Sequence, residues 1–164
     1  MARFLKDRKA SHGQVPGSLI LIGKQKMEKS IINLIEYNEK ELTEKELLSI
    51  DEAESCLNSE NISWINIYGI HDLKMMKKLG EMFKLPSLFL EEILNTDQRP
   101  KYEDGDSFDG VILKMFRYEV GTKTVIAEQL SLILGKNYVL TLQEQPGDVF
   151  NPVRERIRKS KGRI

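Results

Sequence analysis

Two adjacent carboxylates, Glu91 and Glu92, stand on the apolar run that ends at Leu94, just ahead of a polar turn that Pro100 stops: Leu90-Glu91-Glu92-Ile93-Leu94-Asn95-Thr96-Asp97-Gln98-Arg99-Pro100-Lys101. Carboxylate oxygens are hard donors, so such a helix end offers a surface where a hard cation or a basic partner can sit. Adjacent helix positions diverge by about 100° in direction. The two therefore cannot chelate one ion as a simple pair; one can face its own domain while the other faces a neighbour. The competing reading is two ordinary exposed glutamates near a helix end, where negative charge is mildly unfavourable.

Other constellations carry less. No glycines are spaced as G-x-G and no G-K-[ST] loop is present, so phosphate-cradling motifs are absent. His12 lies in a basic N-terminal arm and His71 at a strand-to-helix junction, and neither has a serine or cysteine beside it in a recognisable nucleophile context. No catalytic constellation emerges, and the chain reads as a non-enzyme. Cys56, the single cysteine, lacks basic neighbours and reads as structural. The acidic group Glu103, Asp104, Asp106, Asp109 fails the calcium-loop test, because Phe108 and Asp109 fill the fifth and sixth places where an oxygen ligand and glycine belong. It reads as a solvated hairpin tip. Arg154, Arg156, Arg158, Lys159, Lys161 and Arg163 form a C-terminal basic run without interleaved aromatics, which reads as the polar face of a helix with some affinity for an anionic partner.

The chain has 164 residues, enough for one domain, with 25 basic and 25 acidic side chains and zero net charge. That balance argues against a dedicated nucleic-acid binder. No apolar run nears the roughly 20 residues that cross a bilayer. Taken literally, the chain is soluble and cytoplasmic; a second reading makes it one soluble piece of a longer membrane protein, because the helix expected from Asn151 runs to Ile164 without a stop signal.

Residues 1–15 read as a flexible basic arm and 16–164 as the folded unit. Leu19–Gly23 is expected as a buried strand, and Ile31–Tyr37 as its neighbour. Thr43 with Glu46 three residues on predicts a capped helix whose apolar face uses Leu47, Leu48, Ile50 and Leu57. Ile62–Tyr68 predicts a central strand. Asp72 caps a helix carrying Leu73, Met76, Leu79 and Phe83 at helical spacing. Pro86 opens a second helix through Leu94 that packs Leu88, Leu90, Ile93 and Leu94. Phe108–Val120, Val125–Gly135 and Tyr138–Gln143 predict an antiparallel run of strands before the final helix. The order implies an α/β fold: a mixed parallel and antiparallel sheet sandwiched between helices.

The segment Leu90–Lys101 also resembles the L-E-D-I-L-N-x-x-Q-R-P-K signature of the CorA family of magnesium and cobalt transporters. Ser63–His71 is similar to that family's W-I-N-x-x-G-x-H strand. Pro16–Leu19, Leu113–Phe116, Glu128–Leu134 and Gly147–Arg156 are similar to further segments in the same order. The resemblance, running from Pro16 to the end, implies the N-terminal cytoplasmic domain of a homopentameric transporter in the cell membrane. Its stalk, two membrane helices and G-M-N pore motif would lie beyond Ile164. It implies that Glu91 and Glu92 help hold regulatory Mg²⁺, with Co²⁺ a further candidate, between subunits, and that filled sites favour a closed pore. The family pattern has aspartate at Glu92, which leaves direct coordination, water-mediated contact and loss of the site all open. Two alternatives stand beside this reading: a zinc-transporting ZntB-like relative, and a soluble adaptor that binds an acidic or nucleic-acid partner through the basic helix.

Overall fold

Alternating β-branched and aromatic residues build the centre of the sheet. The computed structural model describes Gly13 and residues 15–159. Strands β1 (Ile31–Tyr37) and β3 (Ile62–Tyr68) pair antiparallel along their length, with Ile31 opposite Tyr68 and Tyr37 opposite Ile62. On its other side β3 runs parallel to β7 (Tyr138–Gln143), with Ile65 beside Leu140. Strands β2 (Leu42–Leu47), β4 (Lys101–Asp104), β5 (Asp109–Glu119) and β6 (Thr124–Leu134) complete a seven-stranded sheet in the order β2-β1-β3-β7-β6-β5-β4.

Side chains alternate across a strand, so β1, β3 and β7 divide their apolar residues between two faces. One face presents Ile32, Leu34, Ile65, Ile67, Leu140 and Leu142 to a 3₁₀ turn (Ile50–Ala53) and helices α1 (Glu54–Leu57), α2 (Leu73–Phe83) and α3 (Ser87–Leu94). The opposite face presents Ile35 and Trp64 to Ile157 of α4 (Asn151–Arg158). The expected mixed sheet between helices is therefore present. Full burial of each such Ile or Leu contributes about 1.5–3 kcal/mol, which makes the α2–α3 face the main source of cohesion.

The close approach of α2 and α3 depends on Gly80. A Cβ there would meet Leu90 Cδ1, so a side chain at this position would force Leu90, on the buried face of α3, to repack. Asp72 caps α2 as predicted, accepting from the N–H groups of Lys74 and Met75.

Several local expectations are corrected. Leu19–Gly23 forms no strand; Ile22 alone makes a parallel bridge to Asn95, because its N–H and C=O are taken by Leu94 and Thr96. The helix predicted from Thr43 is instead edge strand β2, with Thr43 opposite Glu36. Its run of charge suits an edge, where backbone pairing to one neighbour suffices and charge discourages a second. The helical start comes later, where Glu52 Oε1 accepts from the N–H groups of Leu48 and Ser49. Leu48 and Leu88, expected on packed faces, are exposed, whereas Phe89 is buried. Most of the expected 1–15 arm, His12, Lys161, Arg163 and the helix beyond Lys159 lie outside the described residues.

Candidate functional site

Helix α3 carries the two glutamates, and both of its ends are fixed by the fold. Pro86 takes the N-cap position at φ −58°, where its missing N–H costs nothing. Phe89, Leu90, Ile93 and Leu94 bury the inner face. At the far end the Asn95 N–H donates to the carbonyls of Glu91 and Glu92. Ile22 donates to Leu94 O at 2.9 Å, and Thr96 donates back to Ile22 O at 2.9 Å. Gln129 Nε2 from β6 reaches Ile93 O at 2.7 Å, and Lys114 Nζ from β5 reaches Thr96 O at 2.6 Å. The polar residues after the helix thus act as clamps that hold it to the sheet.

On this frame Glu91 and Glu92 point to different partners, as their spacing requires. Glu91 Oε2 accepts from the Gly17 N–H at 2.6 Å. Gly17 has φ +84°, and a Cβ there would lie 2.6 Å from Ser87 Oγ. Only glycine fits that close, left-handed approach. Both oxygens of Glu92 accept from Lys101 Nζ at 2.8 Å, and the same ammonium lies 2.8 Å from Glu103 Oε2. Lys101 and Glu103 are two apart on β4, so they share the face that meets α3. Hydrogen bonds to Glu103 and then Glu92 raise the Lys101 pKa above the ordinary lysine value. These side chains, with Pro86, Leu88 and Phe89, line an open groove of about 270 Å³.

The donor chemistry of the groove suits a hard divalent cation, which takes carboxylate oxygens and water. The donor number within the chain is incomplete: among the described residues no group of three or more His, Cys, Asp or Glu side chains is placed to hold a metal ion. Any ion at Glu91 or Glu92 would draw its remaining ligands from water or from groups outside this chain. Sequence reasoning placed Glu103 in the acidic tip and quoted Lys101 only as part of the signature. Their two-residue spacing on one strand face was the available signal. The rest of the tip is a tight hairpin: Gly105 donates to Phe108 O, and Tyr102 donates to Asp109.

A second polar constellation lies on the opposite face of the sheet and was not foreseen. Arg154 of α4 grips Asp148 through two nitrogens, at 2.7 and 2.5 Å. Its guanidinium also lies 4.8 Å from the centre of the Trp64 ring. Trp64 Nε1–H donates to Thr141 Oγ1 at 3.0 Å, and Thr141 donates to Asn66. Gln143 Nε2 bridges Asn66 and Asp148 at 3.2 and 3.3 Å, while the Tyr68 hydroxyl donates to Asp148 at 3.1 Å. Burial by itself would raise the Asp148 pKa; the hydrogen bonds from Arg154, the Phe150 N–H and Gln143 outweigh it and hold the group at about 2. The network ties α4 to β3 and β7. Arg158 pairs with Glu44 and Glu155, and Lys159 with Glu155. Three of the four described cations of the C-terminal run, Arg154, Arg158 and Lys159, are thus engaged with the chain's own carboxylates.

Comparison with known proteins gives a consistent picture. The family model described as "CorA-like Mg2+ transporter protein" matches residues 59–164. The chain is 41% identical over 159 residues to the cobalt/magnesium transport protein CorA of Thermotoga maritima, covering 97% of this chain and 45% of that protein. Among solved structures it resembles the soluble domain of CorA from Methanocaldococcus jannaschii, with TM-score 0.52 and 18% identity over 81% of this chain and 48% of the other. It also resembles the ZntB cytoplasmic domain from Vibrio parahaemolyticus, with TM-score 0.52 and 12% identity over 80% and 51%. At such identities the structural likeness concerns the fold alone. The chain spans about half the length of the relatives it matches. No helix among the described residues is long and apolar enough to cross a membrane.

Proposed function

This chain belongs to the CorA-like Mg²⁺ transporter family, and from that premise we propose that it is the divalent-cation-sensing, gating-linked domain of such a transporter. Residues 16–164 form the regulatory unit on the cytoplasmic side of the cell membrane. Ion conduction, of Mg²⁺ and also Co²⁺, is the work of a part outside this chain. The working assembly is a homopentamer, and the domain has no enzymatic role and no nucleic-acid partner. The single observation that carries the reading is the groove between α3 and β4. There the signature segment sets Glu91 and Glu92, turned to different partners, on a fastened helix, with an incomplete donor set that a neighbouring subunit can complete.

In this role the chain's residues supply part of an ion's oxygen shell and a rigid base for it. A ligand shifts a conformational equilibrium only through its differential affinity for the two states. Cation bound between subunits in the closed arrangement therefore favours closure, and its loss at low Mg²⁺ favours opening. The test is a titration of cytoplasmic Mg²⁺ against flux in the full-length transporter. The Glu91→Gln, Glu92→Gln double variant should need more Mg²⁺ to close, with ion selectivity unchanged. An unchanged closing midpoint removes these residues from the sensor. The 164-residue chain by itself should bind Mg²⁺ weakly, on the order of millimolar, since water must fill most of the shell.

A further inference from the structure

We propose that Lys101 is a built-in counter-cation of the groove, which a divalent ion must displace from Glu92 in order to bind. The inference rests on the reading of Glu91 and Glu92 as cation ligands and names what sets their threshold. The Lys101 ammonium lies 2.8 Å from both Glu92 oxygens and 2.8 Å from Glu103 Oε2. It thus occupies the bidentate position between the two oxygens, where a cation held by both would sit, and it joins α3 to β4. Glu103 thereby shares the same counter-cation as Glu92.

Charge and exposure make the contact exchangeable. Glu91, Glu92 and Glu103 against one ammonium leave the groove formally two charges negative, a deficit that a divalent ion matches. The side chains of Glu92, Lys101 and Glu103 are 28%, 37% and 34% exposed. A lysine freed from such a rim finds water at once, and ion pairs at this exposure are weak. Lysine carries a compact ammonium on a flexible four-carbon stem, so it can swing aside without moving the strand. The consequence is a raised threshold: Glu92 answers to divalent ions only at concentrations high enough to outcompete its own lysine.

The test is calorimetric titration of the 164-residue chain with MgCl₂ at fixed ionic strength. Lys101→Gln should bind Mg²⁺ roughly 2- to 5-fold more tightly than wild type, the range that the loss of one partly exposed ion pair allows. Lys77→Gln, which removes an exposed charge on α2, should change affinity less than about twofold at this ionic strength. Adding Glu92→Gln to Lys101→Gln should abolish the gain. In the wild-type chain, ¹⁵N signals of the lysine ammonium groups should show Lys101 changing over the same Mg²⁺ range. Unaltered affinity in Lys101→Gln overturns the inference, as does a gain shared by Lys77→Gln or surviving the loss of Glu92. If Glu92→Gln alone weakens binding while Lys101→Gln does nothing, the counter-cation falls and the ligand reading stands. If neither glutamate affects Mg²⁺ binding, the ligand reading falls and takes the inference with it.

Discussion

Asp148 with Arg154 on one face of the sheet, and Glu92 with Lys101 on the other, are both carboxylate–cation pairs with contacts of 2.5–2.8 Å. Their surroundings differ. The Asp148 and Arg154 side chains are 2% and 12% exposed, and each is held by further hydrogen bonds or ring contact. Lys101 and its two carboxylates sit on an open rim with water as the alternative partner. Coulomb attraction between a pair grows as the local dielectric falls, and so does the penalty for leaving one member alone. The same chemistry therefore fastens the fold where it is buried and stays exchangeable where it is exposed. In this domain the fastening lies on α4 and the exposed contact within the Leu90–Lys101 segment.

The comparison breaks most readily at Arg154. Arg154→Ala would leave the Asp148 carboxylate buried and unpaired and strip Trp64 of its cation. Loss of about 3 kcal/mol of folding stability is expected, read as a lower urea midpoint at unchanged m-value. For a domain of this size that corresponds to a fall of roughly 6–12 °C in Tm. A loss below about 1 kcal/mol would show that α4 is a loosely attached element.

Acid should separate the two regions next. Asp148 is held at about 2 against an ordinary 3.8. A carboxyl with a depressed native pKa contributes stability that is complete above its unfolded pKa and is lost as pH falls through the native one. The Asp148 contribution should thus be intact above about pH 4 and drain away between about pH 4 and pH 2. Its size is at most about 2 kcal/mol after allowance for solvent screening. Urea melts of wild type and Asp148→Asn should converge over that interval. Parallel curves would remove Asp148 from the acid response.

How far these regions were legible differs in the same way. The signature glutamates could be read because helix spacing alone dictates that Glu91 and Glu92 diverge, and they do. Strands β3, β5, β6 and β7 and helix α2 were legible for a similar reason: each carries its own period over several residues. The Asp148–Arg154 network was not, since its members come from β3, β7, the loop before α4 and α4 itself, up to 90 positions apart. Nothing local marks such a set. Grouping Arg154 with the basic run hid it further. The misread helix at Thr43 has another cause: Thr-Glu-Lys-Glu satisfies a capping pattern equally as a charged edge strand, and only pairing with β1 decides between them.

Within the buried network, Thr141 tests whether the hydrogen bonds act together. Its hydroxyl accepts from Trp64 Nε1–H and donates to Asn66, at a residue only 1% exposed. Thr141→Val keeps the volume but leaves the indole N–H without a partner. A cost of about 1–2 kcal/mol is expected. A double-mutant cycle with Arg154→Ala should show coupling above about 0.5 kcal/mol, since both residues contact Trp64. Strict additivity would reduce the network to separate contacts.

The smallest effect is expected at the groove, and its smallness is the informative part. Lys101→Gln removes an ammonium from two carboxylates, yet all three groups retain access to water. Exposed pairs of this kind are worth about 0–1 kcal/mol, and the glutamine amide can still donate to one oxygen. Folding stability should change by less than about 0.5 kcal/mol without divalent ions, and Glu92→Ala should behave alike. The residual effect should shrink further in 0.5 M salt, where the Debye length falls to about 4 Å. A loss of 2 kcal/mol or more in either variant would mean that Lys101 fastens β4 to α3 as Arg154 fastens α4 to the sheet. A cation could then displace the lysine only by unpicking the edge of the fold, and the contrast between the two pairs would collapse.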